Sequence, residues 1–268
     1  MPQTINTNLA SMNAQRNTSM NQSALSTAMQ RLSSGLRVNS AKDDAAGLAI
    51  GERMNAQVRG MNVAARNAND GISLAQTADG ALATVSDALQ RMRELAVQAA
   101  NGSNGTGDRA NLDTEYQQLS TEITDIAAQT KFNGNAIIGG GAGTQTFQVG
   151  ANVGDTLTVT TNAISTVAGG LTTAAAANTA IAAIDAKLDM INTDRATYGA
   201  AMNRFSFAIS NLQIGSENQS AARSRIMDAD FAAETANLSR ANILQQAGNA
   251  MVAQANQLPQ QVMALLRN

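Results

Sequence analysis

Three lysines (Lys42, Lys131 and Lys187), 20 carboxylates and no histidine or cysteine are the reactive side chains of this chain. Without imidazole or thiol it lacks the commonest general base, the usual pH switch, the usual zinc ligand and a thiolate nucleophile. Carboxylate and ammonium chemistry remains. Its densest point is Lys42-Asp43-Asp44. Two adjacent acids could hold a divalent cation, but no further oxygen ligand follows at a suitable spacing. Ahead of Ala45-Ala46-Gly47 the same acids suit the opening of a helix, whose N-terminal dipole favours negative charge. No phosphate cradle of the GxxxxGK[ST] type occurs. The expectation is a non-enzyme with no metal and no cofactor, because base, nucleophile pair and ligand set are all missing.

A second group of residues suits recognition rather than reaction. Arg91 and Leu95 are four apart and should share one helix face. Glu115 lies on a later segment that should return alongside. An ion pair next to an apolar contact is a surface two proteins could share, or a solvated pair of no further consequence.

These residues need long elements to position them. Met54, Met61, Ala68, Ala75, Leu82, Leu89 and Ala96 recur every seven residues, with Val58, Ala65 and Ile72 between. Past Asp79 that second line shifts by one and continues as Val85, Met92 and Ala99. Downstream, Ile181, Ile184, Leu188, Ile191, Tyr198, Met202, Phe205, Ile209 and Leu212 repeat the 3-4 spacing, interrupted by Arg195. So long and narrow a seam requires a partner helix, and each seam is the obvious partner of the other. Asn101 to Gly107 is a stop, after which Leu112, Tyr116, Leu119, Ile123 and Ile126 mark a shorter helix over about 111–130. Aromatic residues make up only 3% of the chain, with no Trp. Such a chain gains its core by length and repetition. A formal net charge of -2 offers no field for nucleic acid, and no apolar run approaches a membrane span.

The middle differs in kind. Residues 134–170 hold nine of the 21 glycines. Thr144 to Val149 and Thr156 to Thr160 alternate with period two and predict a hairpin over about 144–161. The ends differ again. Residues 1–40 carry Arg16, Arg31 and Arg37 and no acid, and no acid follows Glu234. Leu25, Met29, Leu32 and Leu36 form one apolar stripe, and Leu244, Met251, Leu258, Val262 and Leu265 form another. Pro259 should bend or break the second. Ends this apolar are expected to pair with each other and then to pack between chains. The fold class expected is mainly α: a long antiparallel helical coiled-coil rod with a small β-hairpin region at mid-chain. The division expected is an inner terminal-helix part, 1–41 and 230–268, and an outer helical part, 42–229. The N-terminus lacks the charged start, apolar core and cleavage site of a general secretory signal peptide.

Several long motifs resemble one family. Residues 31–50 read RLSSGLRVNSAKDDAAGLAI and residues 90–98 read QRMRELAVQ. Phe132-Asn133-Gly134 and then FQVGAN at 147–152 follow, and the chain ends QANQLPQQVMALLRN. In this order they are similar to bacterial flagellin, over about 1–160 and 175–268, in a short form without the variable outer domains of longer relatives. The resemblance implies a structural subunit that polymerises into the extracellular flagellar filament and drives swimming. A hook–filament junction protein of the same axial structure is the alternative. It also implies export without a cleaved signal peptide through the flagellar type III apparatus, with an export chaperone on the C-terminal region, and a filament cap and hook-junction proteins as neighbours. Finally, it implies recognition by the vertebrate Toll-like receptor for flagellin through Arg91, Leu95 and Glu115.

Overall fold

In this computed structural model residues 7–266 are described, with side chains through residue 257. Five helices and two small antiparallel strand pairs follow one another: α1 (Leu9–Ser34), α2 (Ala45–Ala100), α3 (Thr106–Gln129), β1 (Lys131–Phe132), β2 (Asn135–Ala136), β3 (Thr144–Gln148), β4 (Thr156–Thr160), α4 (Ala174–Met227) and α5 (Phe231–Leu266). The chain forms two compact units, 57–217 and 1–56 with 218–268. Their borders fall inside α2 and α4.

Local chemistry explains where the elements start. Asn8 caps α1 by accepting from the Ser11 N–H, and Asp108 in the first turn of α3 accepts from the Gly105 N–H. Asp43 accepts from the N–H groups of Asn39 and Ser40 and from the Ser40 hydroxyl, while Asp44 accepts from the Gly47 N–H. The bonds from Ser40 hold the Asp43 carboxyl below its ordinary pKa. The paired acids thus tie down the start of α2. Asn133 and Gly134 both have positive φ, the geometry of the two-residue turn that Asn-Gly favours. They join β1 to β2, a hairpin the sequence reading passed over. The predicted hairpin forms β3 and β4, in register from Thr144 opposite Thr160 to Gln148 opposite Thr156.

In the unit 57–217, α2 and α4 run antiparallel. Arg93 meets Asp185, Asp79 meets Arg195, Gly71 meets Phe205 and Asn62 meets Ser216. The covered line on α2 is Ala64, Ala68, Gly71, Ala75, Ala78, Leu82, Val85, Leu89, Met92, Ala96 and Ala99. It alternates steps of four and three without a break, as a heptad seam requires. This corrects the expected second line. Val58, Ala65 and Ile72 only flank the seam, and no shift occurs past Asp79. On α4 the covered line runs Ala177, Ala180, Ile184, Ile191, Asp194, Tyr198, Ala201, Phe205 and Leu212. Beside the seam α2 buries a second row through Leu74 and, nearer its C-terminus, Leu95, with Ser86 on the opposite flank. There the core also takes in Tyr116 and Ile123 of α3 and the strap after β4 through Val167 and Leu171. Leu171 N–H donates to Asp113 at 2.6 Å and Gln117 donates to the Gly169 carbonyl at 2.9 Å, pinning that strap to α3.

In the other unit, α1 pairs with α5. The connector after α1 is stitched to the end of α4. Leu36 bridges Asp228, the N–H groups of Arg37 and Val38 share the Met227 carbonyl, and the Arg37 guanidinium donates twice to the Ile226 carbonyl at 3.2 and 2.6 Å. Helix α5 continues through Pro259, so the expected break there does not occur.

Candidate functional site

The α1–α5 pair meets along a seam of small and polar residues. On α5, Glu234, Leu238, Ala241, Gln245, Gly248, Val252 and Ala255 are the covered positions, spaced 4-3-4-3-4-3. On α1 they are Ser11, Ala14, Thr18, Asn21, Leu25 and Ala28. Polar contacts set the register. Asn8 Nδ2 donates to the Ala255 carbonyl at 2.7 Å, Ser11 Oγ donates to Asn256 Oδ1 at 2.7 Å, and Arg31 reaches Glu234 at 3.9 Å. Gly248 lies against Thr18, where a Cβ would stand 2.8 Å from Oγ1. Small residues let the two backbones approach, and each contributes little buried area.

Apart from Leu25, Leu238 and Val252, most of the larger apolar residues of both helices are left outside that seam. Leu9, Met12, Met20 and Met29 of α1 and Phe231, Ile243, Leu244 and Met251 of α5 are all exposed. An exposed apolar surface of this extent on a helix pair is a feature of interaction sites. Of the residues expected to pack between chains, Met29, Leu244 and Met251 are 56%, 44% and 63% exposed. Leu25, Leu32 and Leu36 are half-buried, the last within the bridge to Asp228. Leu258, Val262 and Leu265 lie outside the described side chains.

The recognition group is only partly brought together. Arg91 donates to Glu115 and to Glu94, at 2.9 and 3.0 Å, and these bonds raise the guanidinium pKa, the one to Glu115 most. The predicted pairing of α2 with the returning helix α3 is therefore present. Leu95 departs from the expectation. It is 1% exposed and belongs to the second buried row, because α3 packs where one-sided helix spacing would leave solvent. The exposed residue that Arg91 bonds on its own helix is Glu94, one turn on.

Among the described residues no group of three or more acids could hold a metal ion, and no helix is long and apolar enough to cross a membrane. Comparisons with known proteins show the family. Residues 5–142 match the family described as the bacterial flagellin N-terminal helical region, and residues 181–266 the corresponding C-terminal helical region. A curated flagellin from Halalkalibacterium halodurans is 50% identical over 98% of this chain and 99% of its own length. One from Bacillus subtilis is 40% identical over the same shares. The crystal structure of Bacillus cereus flagellin superposes with a TM-score of 0.50 at 39% identity, over 55% of this chain and 88% of that one.

Proposed function

Because the chain belongs to the bacterial flagellin family, we propose that the exposed apolar residues of α1 and α5 are the contacts through which it polymerises. It is a structural subunit of the flagellar filament, an exported, extracellular polymer that serves as the propeller of motility. A hook–filament junction role is not favoured, since flagellins match nearly the whole chain. The observation that carries the contact assignment is the division of labour in the α1–α5 pair. Small residues hold the two helices together, and Met29, Leu244 and Met251 remain for a neighbouring copy. Leu258, Val262 and Leu265 are assigned to the same surface from their spacing alone. The inner part of the subunit is then 1–41 with 230–268, and 42–229 forms the outer part. No variable outer domain interrupts the strap between β4 and α4. The subunit performs no catalysis.

A double substitution, Leu244→Gln with Met251→Gln, tests this. Both side chains are exposed, so helix content and unfolding temperature should stay at the parent value. Elongation from filament seeds should stop. Elongation at the parent rate would refute the assignment.

Further partners are proposed by resemblance: the export chaperone on the C-terminal region before secretion, the filament cap and hook-junction proteins as neighbours of the polymer, and the vertebrate Toll-like receptor for flagellin. For the receptor, the surface is Arg91 with Glu115, flanked by Glu94. Leu95 supports that surface from beneath. Arg91→Ala should weaken receptor binding by the free subunit and leave its unfolding temperature near the parent value, because an exposed ion pair adds little to stability. Unchanged binding would remove Arg91 from the surface.

A further inference from the structure

The softest nucleophiles on this chain are its thioethers. It has 12 Met, no Cys, no Trp and no His. Both tyrosines, Tyr116 and Tyr198, are buried. Methionine is therefore the side chain a two-electron oxidant reaches first. Exposure is uneven among the described methionines. Met92 and Met227 are buried, and Met54, Met61 and Met202 are half-covered. Met61 packs toward Gly215, where a Cβ would stand 3.2 Å from its sulfur, and Met227 toward Gly51, where a Cβ would clash with the sulfur at 2.7 Å. Five are exposed, and four of these five lie on α1 and α5: Met12, Met20, Met29 and Met251.

We propose that these four methionines make subunit assembly sensitive to oxidation: a peroxide or hypohalous acid converts them to sulfoxides on the free subunit and blocks its entry into the polymer. The inference rests on the assembly reading above. With hydrogen peroxide, a sulfur lone pair takes one oxygen atom. An S–O bond forms, the O–O bond breaks, the thioether is oxidised by two electrons to the sulfoxide, and the peroxide leaves as water. The product replaces a pliable apolar side chain with a polar, chiral one. On a solvated helix face this changes little. At a contact that must exclude water, the new oxygen has to be buried without a designed donor, which is unfavourable. The lesion is reversible by methionine sulfoxide reductases, one for each epimer. It is also self-limiting, because a subunit already in the polymer covers the same sulfurs. The device acts on supply: new subunits fail to add while the existing filament persists.

The experiment uses the full chain carrying Met263→Leu; of the two methionines outside the described side chains, Met1 and Met263, only Met1 then remains, and its sulfoxide is scored separately. Free subunits and polymer are exposed to graded hydrogen peroxide, and sulfoxide is located by peptide mass spectrometry. Met12, Met20, Met29 and Met251 should oxidise ahead of Met92 and Met227 in the free subunit and be protected in the polymer. The critical concentration for seeded growth should rise by about tenfold or more, as expected for burying one unpaired polar group per contact. Treatment with both reductases should restore it. A variant with Met12→Leu, Met20→Leu, Met29→Leu and Met251→Leu should grow equally with and without peroxide. Subunits fully oxidised at these four positions that still grow normally would overturn the inference. So would a fourfold Leu variant that peroxide still inactivates. Untreated Met29→Gln with Met251→Gln separates the two readings. If that variant grows normally, the contact assignment itself fails. If it does not grow while peroxide leaves the four sulfurs intact, only the oxidation inference fails.

Discussion

Two glycines of α2 should respond in opposite directions to the same substitution. Replacing a glycine inside a helix by alanine adds about 1 kcal/mol of helix propensity. At Gly80 nothing lies within 4 Å of the new Cβ, so that gain should appear whole. At Gly71 the Cβ would stand 2.6 Å from Cζ of Phe205 and 2.9 and 3.0 Å from its Cε atoms. Comfortable carbon–carbon contact is about 3.5–4.0 Å, so the ring must retreat by roughly an ångström. It has little room. Phe205 is buried, and Phe147 meets it edge-on at 5.6 Å and 87°. Overpacking of this kind costs about 1–3 kcal/mol, which outweighs the propensity gain. The net expectation is destabilisation by up to about 2 kcal/mol at Gly71 and stabilisation by about 1 kcal/mol at Gly80. For a unit of this size each kcal/mol moves the unfolding temperature by roughly 2–4 °C. Calorimetry on free subunits of Gly71→Ala and Gly80→Ala reads both signs at once. Adding Phe205→Leu to Gly71→Ala should recover part of the loss relative to Phe205→Leu alone. If Gly71→Ala raises the unfolding temperature as much as Gly80→Ala does, the socket does not exist and the α2–α4 register is wrong.

Other perturbations discriminate as cleanly. Leu95→Ala should destabilise by about 2–5 kcal/mol, as removal of a buried leucine does, whereas Arg91→Ala should cost little, because its ion pairs are exposed; equal losses in urea titrations would put Leu95 back on the surface. Burial, helped by Asp194, pushes the Tyr198 hydroxyl up to about 12. The unfolded chain sheds that proton from about pH 10 while the native state keeps it. The native state then binds more protons, so stability is intact below about pH 10 and falls by about 1.4 kcal/mol per pH unit up to about 12. Tyr198→Phe should flatten that part of the alkaline unfolding curve, and an unchanged slope would contradict the assignment. Arg37→Ala removes both bonds to the Ile226 carbonyl and should cost about 1–2 kcal/mol in the unit containing α1 and α5, with faster amide exchange at Arg37 and Val38 as the local readout.

The period of α2 and α4 was legible because heptad spacing survives any choice of residue. The face was harder to read. Scoring by apolar size selected Val58, Ala65 and Ile72 for the second line, but the buried line is Ala64, Gly71, Ala78 and then Val85. A close-packed pair of helices prefers the smaller residues where backbones approach, and Gly71 is small because Phe205 fills the space. The inferred slip past Asp79 came from the same weighting and disappears with it. The tails repeat the lesson. The large apolar stripes were visible, but of their described side chains only Leu25 enters the intramolecular seam, which runs through Ser11, Thr18, Ala241 and Gly248. Arg91 with Glu115 was found from a face argument that holds for two helices. Leu95 was misplaced because α3 and α4 both pack at that end of α2. The β1–β2 hairpin carried its signal in Asn133-Gly134, but two-residue strands leave no alternation to support it.

The same contrast explains why a chain of this composition assembles. A seam of Ser, Ala, Thr and Gly lets α1 and α5 find one register, fixed by Asn8 and Ser11, yet it removes little apolar surface from water. Each large apolar side chain left outside would contribute about 1.5–3 kcal/mol if it were fully buried. Eight such residues are exposed on the two helices: Leu9, Met12, Met20, Met29, Phe231, Ile243, Leu244 and Met251. Together they could supply on the order of 10 kcal/mol or more, comparable with the roughly 4–15 kcal/mol lost in translational and rotational freedom on association. A single partner covering part of one side would leave the balance near zero. Several neighbours at once would tip it, because an incoming copy loses its rigid-body freedom once while gaining every contact. Growth should therefore be steeply cooperative and confined to an end that presents a complete nest. Removing any two of the eight should raise the critical concentration far more than it lowers the unfolding temperature of the free subunit.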